Sequence, residues 1–524
     1  MDKNIFNQVQ FPRLQTNTFD LSHQKKMSFN MGELIPTCWI ECLPGDHFTL
    51  SCENMLRMAP MVNPLMHEIN VTTHYFFVRY SLLWPNFEDF ITGKSTPSWP
   101  YIVGDGGASF QDGDLIDYLE YPTGQDTNGY NISAMPIAAY ALIFDEFYRS
   151  DQVQTVDTWE ELADGNNAWA KTFGRGNPRK VAWEHDYFTA ALPTPQAGSS
   201  SVTLPLLADD TVDVTLKSGD QTLNPPKLFE DINDGTISTG DITAGGAGTN
   251  TFLVGNEPSV FDPNGTLEVD INATANTITT LRRAMKLQEF LERDSRGGLR
   301  YNENMLAHFG QMTSDARLFR PEFIGGTKQR MVISEVLSTA QTYDSTNGDV
   351  PVGALAGHGI SVGGGNTFTY KVQDHGMIMG LIFVRPTTSY HQGLHRKFMR
   401  FTREDHYWPS FANIGEQGLL KREVYCDTST NTVEELDEVF GYIPRYSEYK
   451  YYPSNVHGDF RTSLDSWHLS RQFSTAPALN GAFIECTPSD RIFAVQDGSD
   501  TIYAHIFNKV IARRKMPVFG NPSI

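Results

Sequence analysis

Apolar positions recur along this chain with two periods, and the change between them marks its organisation. From Leu281 to Leu291 the period is helical: Leu281, Ala284, Met285, Leu287 and Leu291 share one side, with Arg282, Lys286, Glu289 and Arg293 opposite. Gly297-Gly298 stops that run, and a second short helix from Tyr301 to Phe309 ends at Gly310. The pattern predicts an amphipathic helix pair packed on a sheet. Ile137 to Tyr148 is a further short helix. Most of the rest follows a period of two. Val71 to Arg79, VTTHYFFVR, is apolar on both alternating faces and rich in β-branched and aromatic residues, so it reads as a buried central strand. Asp374 to Arg385 reads the same way, and Met331–Leu337, Thr367–Val372 and Thr501–Ile511 are further strands.

The pattern breaks between Ser201 and Thr280. That stretch holds twelve acids and two lysines, a formal charge of −10, with no Arg, His, Trp, Tyr, Cys or Met. Val212, Val214 and Leu216 alternate with polar residues, as do Leu267, Val269 and Ile271, so each run is a strand with one wet face. Between them STGDITAGGAGTN forms a glycine-rich apex. Exposed loops on a stable scaffold are where binding residues collect. The apex residues Thr239, Asp241, Thr243, Gly245, Gly246, Gly248 and Asn250 are therefore candidate recognition positions.

Composition narrows the class. The chain has 524 residues, of which 40% are hydrophobic and 12% aromatic, enough for a sizeable core. Its 43 glycines and 28 prolines favour many turns and a β architecture. The net charge of −21 repels nucleic acid unless basic groups are segregated. Five cysteines, Cys38, Cys42, Cys52, Cys426 and Cys486, fit no zinc template and read as free thiols. The N-terminus lacks a signal-peptide core, and no apolar run is long enough to span a bilayer.

Little chemistry emerges. His391 and His395 sit at i, i+4, but Gly393 lies between them and no third ligand has a fitting spacing. The glycine-rich loop before Thr367 lacks the GK[ST] of a phosphate cradle. No GxSxG or HExxH is present. His74 reads as a satisfied core histidine, and Phe398, Phe401, Tyr407, Trp408 and Phe411 as packing aromatics. No catalytic residue, metal ligand or cofactor is expected. Basic clusters occur at Lys25-Lys26, Arg282-Arg283-Lys286, Arg396-Lys397 with Arg400 and Arg403, and Arg513-Arg514-Lys515.

Several blocks in order carry a resemblance. They are NTFDLSH with MGELIP near the start, WEHDYFTAALPTPQAG from Trp183, LRRAMKLQEFLERDSRGG from Leu281 and DHGMIMGLIFVRP from Asp374. YHQGLHRKFMRFTREDHYWPSFANIGEQ from Tyr390, FGYIPRYSEYKYYPS from Phe440 and a basic C-terminal ARRKMP follow. In this order they resemble the major capsid proteins of microviruses, in the gokushovirus branch. The resemblance implies a mainly β fold, an eight-stranded antiparallel jelly roll with large loop insertions and a few short helices. It divides the chain into an arm at 1–30, the first part of the barrel at 31–200, an acidic insertion forming a surface protrusion at 201–280, and the helix pair with the rest of the barrel and a basic tail at 281–524.

The function it implies is a T=1 icosahedral shell of sixty copies, in pentamers, around a circular single-stranded DNA genome. Partners would be further copies of the chain, the packaged DNA, a small basic DNA-packaging protein, a minor pilot protein and a host receptor met by the 201–280 protrusion. The site would be the virion, assembled in the bacterial cytoplasm. Lys25, Lys26, Arg513, Arg514 and Lys515 are the candidate interior DNA contacts. Two other classes compete: a β-sandwich protein that binds or cleaves glycans, and a trimeric viral adhesin.

Overall fold

The structure, a computed structural model, describes residues 15–104, 110–154, 159–197, 214–216, 229–231, 242–244, 252–254, 257–261, 267–269, 278–337 and 355–519. In chain order the elements used below are β1 (Asn17–Asp20), β2 (His23–Phe29), β3 (Ile35–Cys42), β4 (His47–Met58) and β5 (Ile69–Arg79). Helices α1 (Met135–Phe147), α2 (Ile278–Gly297) and α3 (Tyr301–Phe309) come next. Then follow β6 (Glu322–Arg330), β7 (Val332–Leu337), β8 (Leu355–Gly364), β9 (Phe368–Lys371), β10 (Gly376–Pro386), β11 (Glu416–Leu420), β12 (Val439–Pro444) and β13 (Ile502–Arg514).

Two antiparallel sheets form the framework. A 7-stranded sheet runs β1-β13-β4-β8-β7, with β2 also on β13 and β9 also on β4; a 4-stranded sheet runs β6-β5-β10-β3. The mainly β, antiparallel architecture expected from the sequence is present. Among the described residues the two sheets hold 7 and 4 strands against the eight expected, and part of the excess is local. β1 and β2 follow each other along one edge of β13, Asn17 opposite Arg514 and His23 opposite Asn508. They are two halves of one arm. β8 and β9 share β4 in the same way, Gly364 opposite Glu53 and Phe368 opposite Leu50. The arm, expected to lie over a surface, instead extends the first sheet.

Period-two alternation sorts each strand between layers. On β5, Ile69, Val71, Tyr75 and Phe77 enter the core between the sheets, while Phe76 and Val78 enter a second core under α1. On β10, Ile378, Ile382 and Val384 face the first core, and Met377, Met379, Leu381 and Phe383 the second. Both strands lie inside their sheet, which is why their sequences are apolar on both faces. β4 and β13 contribute Phe48, Leu50, Leu56, Ile502, Ile506 and Val510 to the first core only. Each such fully buried side chain contributes about 1.5–3 kcal/mol relative to exposure.

Helix α1 is apolar all round and buried from Met135 to Phe144, with Pro136 in its first turn. Tyr140 ties it down: its hydroxyl donates to Leu34 O at 2.8 Å and accepts from Arg179 N at 3.0 Å. A third, smaller core gathers Tyr187, Phe188, Tyr390, Leu419, Phe440 and Phe483 around the β11–β12 hairpin.

The helix pair forms where expected, with Leu281, Ala284 and Leu291 of its apolar stripe half-buried and the other two residues exposed. Met285 and Leu287 are 62% and 46% exposed. The turn between α2 and α3 is held by polar contacts: Asp294 accepts from Asn304 Nδ2 at 2.6 Å and meets His308 Nε2 at 2.7 Å. Glycine is required there, because a Cβ on Gly297 would lie 2.5 Å from Ala307 Cβ. Gly298, at φ 111°, turns the chain in the left-handed region.

The chain divides into two compact units, Met1–Ala197 with Glu292–Ile524, and Gly198–Leu291. Within the second, Leu267 pairs with Leu216 and Val269 with Val214. A small 4-stranded sheet orders residues 242–244, 252–254, 257–261 and 229–231.

Candidate interaction surfaces

Among the described residues no group of three or more His, Cys, Asp and Glu side chains could hold a metal ion. The i, i+4 histidines turn to different tasks. His391 Nδ1 meets the Ser470 hydroxyl at 3.2 Å, whereas His395 Nδ1 accepts from Lys397 N at 3.1 Å and its ring stacks on Tyr452. Gly393 between them lies so close to Glu423 O that a Cβ would collide with it. His74 meets the Tyr148 hydroxyl at 2.7 Å among aromatic rings, and burial pushes its pKa down to about 4. Cys38, Cys42, Cys52 and Cys486 are buried free thiols, and burial pushes Cys38 up to about 12. These groups are built for packing.

The surface tells more. Phe398, Phe401, Tyr407, Trp408 and Phe411, expected as packing aromatics, lie on a segment held at its base by buried carboxylates, and all but half-buried Phe411 are left outside. Arg400 pairs with Glu448 at 3.1 Å and Arg396 with Glu423 at 3.4 Å; both carboxylates are buried. Burial raises the Glu423 pKa, with the Arg396 charge opposing. Gln417 Nε2 adds a 2.8 Å hydrogen bond to Glu448. On this base Phe401 stands 88% exposed, and Phe398, Tyr407 and Trp408 are also exposed. Cations cap several rings: Arg400 lies 4.0 Å from the Tyr449 centroid, Arg403 4.8 Å from Trp408 and Lys397 4.9 Å from Tyr452. The stretch after α2 adds Tyr301, Leu306, Phe309, Met312 and Phe319, all exposed. Sequence reasoning missed this second group. Its signal was a helix of nine residues whose large apolar side chains had no facing element in the pattern.

The predicted cation set separates. Lys25 is mostly buried and donates to Tyr118 O at 2.6 Å and Pro36 O at 3.3 Å, with Glu120 at 3.6 Å. Burial lowers its pKa, and Glu120 opposes that. Arg514 turns back to the barrel, pairing with buried Asp46 at 2.9 Å and donating to Glu41 O. Lys26, Arg513 and Lys515 are exposed. Thr243 lies in the described strand at 242–244, while Thr239, Asp241, Gly245, Gly246, Gly248 and Asn250 lie outside the described residues. Among those described, no helix is long and apolar enough to cross a membrane.

A family model for the capsid protein (F protein) matches residues 7–524. Capsid protein VP1 of Chlamydia phage 1 is 34% identical over 599 aligned positions, covering 100% of this chain and 98% of the relative. Capsid protein VP1 of Bdellovibrio phage phiMH2K is 33% identical, covering 98% and 97%. Capsid protein VP1 of Spiroplasma virus 4 is 28% identical, covering 100% and 97%.

Proposed function

The chain belongs to the capsid protein (F protein) family, and from that premise we propose that it is the major structural subunit of a microvirus shell, not an enzyme. Sixty copies, arranged as twelve pentamers, form a T=1 icosahedral capsid around circular single-stranded DNA. The 201–280 insertion is the protrusion at the threefold axes, and its apex meets the host receptor. A small basic protein packaged with the genome supplies positive charge that a chain of net charge −21 lacks. A minor pilot protein completes the particle. The subunit's place is the virion, after assembly in the host cytoplasm.

One observation carries this reading. A two-sheet sandwich with well-filled cores nonetheless leaves Phe309, Met312, Phe319, Phe398 and Phe401 to water, Met312 by 82% and Phe401 by 88%. Subunit interfaces are enriched in aromatics, Met and Arg, the residue types exposed here. Closed symmetry lets one sequence cover all such surfaces with copies of itself. Negative-stain electron microscopy of the purified protein, with its sedimentation profile, tests the reading. Uniform icosahedral shells, or pentamers that convert to them, are expected. A stable monomer or trimer under all conditions would overturn it.

A further inference from the structure

Trp183 and parts of residues 469–491 line a cavity of about 470 Å³ beside the third core. Leu469, Phe473, Pro477, Phe483 and Pro488 make its apolar wall. Arg471 and Arg491 line it as well, and no Asp or Glu does, a formal +2 on a chain of −21. Other arginines with shielded side chains, Arg296, Arg396, Arg400 and Arg514, are each paired with a carboxylate. These two bond neutral groups instead. Arg471 donates from Nη1 to the Tyr390 hydroxyl at 3.4 Å and from Nη2 to Phe483 O at 2.7 Å. Arg491 donates from Nε to Asp465 O at 3.0 Å, from Nη1 to Ser489 Oγ at 3.1 Å and from Nη2 to His468 O at 2.8 Å and Ser470 O at 2.9 Å. Burial lowers the Arg491 pKa, with the Asp465 charge opposing. One carboxylate stands behind Tyr390, whose hydroxyl donates to Asp186 Oδ2 at 2.7 Å. Asp186 is already held by Phe188 N at 2.8 Å and Thr189 N at 2.7 Å, and it does not line the cavity.

Arg471 is fixed in place. Its guanidinium carbon lies 4.0 Å from the Phe483 ring centroid and 5.2 Å from those of Phe473 and Trp183. Phe473 and Phe483 stack with centroids 5.9 Å apart. Arg471 N donates to Ser389 O at 3.0 Å, and Gln392 clamps Phe473 through Oε1 at 2.7 Å and Nε2 at 2.8 Å. The guanidinium keeps its Nε–H and one proton on each Nη without an acceptor among the described residues. A rigid planar fork matches the two oxygens of a carboxylate. Apolar walls with a few placed polar groups are the usual build of a small-ligand pocket.

We propose that this cavity is a binding site for a small organic acid, a carboxylate joined to an apolar body, with Arg471 as the partner of the carboxylate and Phe473 and Phe483 as the wall for the body. Arg491 adds positive charge while it keeps its carbonyl contacts. The site lies within one subunit, so it stands apart from shell assembly and from the exposed aromatic surfaces.

Ligand-detected NMR of the purified full chain is the test, with benzoate as the probe and benzamide and inorganic phosphate beside it. Benzoate should bind saturably. Benzamide keeps the ring and lacks the charge, and should bind about tenfold more weakly. Arg471→Gln should also weaken benzoate about tenfold. Thr487→Asp, at an exposed lining position, brings a carboxylate into the cavity and should weaken benzoate about fivefold with an unchanged melting midpoint. Arg57→Gln, at an exposed position of β4, should change nothing. If Arg471→Gln lowers the melting midpoint, Thr487→Asp decides alone. Wild-type benzoate affinity in Thr487→Asp overturns the proposal, as does equal binding of benzamide and benzoate, or no saturable binding of benzoate. Phosphate that displaces benzoate at equal concentration overturns the carboxylate assignment.

Discussion

β10 and the stretch from Leu299 to Phe319 are both rich in large apolar side chains, and they meet opposite fates. Every residue of β10 from Gly376 to Val384 is buried, half against β4 and β13 and half against α1. Leu299, Tyr301, Leu306, Phe309, Met312 and Phe319 lie open to water. The belt from Phe398 to Trp408 resembles the second case. Apolar side chains state that something must cover them. They do not state whether the cover is the same chain or another copy. In β10 the cover is internal, so its side chains contribute to folding. In the two exposed regions the chain supplies no cover, and under the proposed function a second copy does, so theirs would contribute to association.

Mutations can break this distinction. The largest loss is expected from Phe76→Ala, which empties a fully buried site between β5 and α1. Its cost is about 3–5 kcal/mol, read as a lower denaturation midpoint; a shift below about 1 kcal/mol would remove Phe76 from the folding core.

Acid gives the next effect. The folded pKa of His74 is about 4, below its ordinary 6.5, because burial disfavours the cation. Above pH 6.5 the histidine is neutral in both states and stability is unaffected by it. Between 6.5 and 4 the unfolded chain takes up a proton that the folded chain refuses, so stability falls as pH falls, by up to about 3 kcal/mol. Melting curves across that range should show the loss, and His74→Gln should flatten it. Equal pH dependence in both proteins would place the effect elsewhere.

Asp294→Ala removes the acceptor joining α2 to α3 and should cost about 1–3 kcal/mol locally. Faster amide exchange in Tyr301–Phe309 with an unchanged global melt is the expected signature. Faster exchange spread through both sheets would contradict it.

Phe401→Ser should do least to the fold, within about 0.5 kcal/mol for the unassembled subunit. It should nevertheless abolish or weaken shell formation in sedimentation. Normal shells from this variant would show that the belt faces solvent in the assembly.

Much of the framework was legible in the residues. The two-faced apolar strands VTTHYFFVR and GMIMGLIFV announced central positions, and both lie inside the second sheet. Gly297-Gly298 marked a turn that only glycine fits. The candidate surfaces were harder to read. Lys25 and Arg514 looked like two members of surface clusters, yet each is drawn to carbonyls or a carboxylate on another element. Phe398 and Phe401 looked like core residues for the same reason that true core residues do.

The physical reason is one of range. Periodicity, turn glycines and charge runs are local, so the chain alone determined its mainly β character, its helix pair, its acidic insertion and its family. Partnership across hundreds of residues is not local. Only the tertiary structure set Asn17 beside Arg514, committed Arg514 to Asp46, and left Lys509 and Arg513 facing outward beside Tyr503.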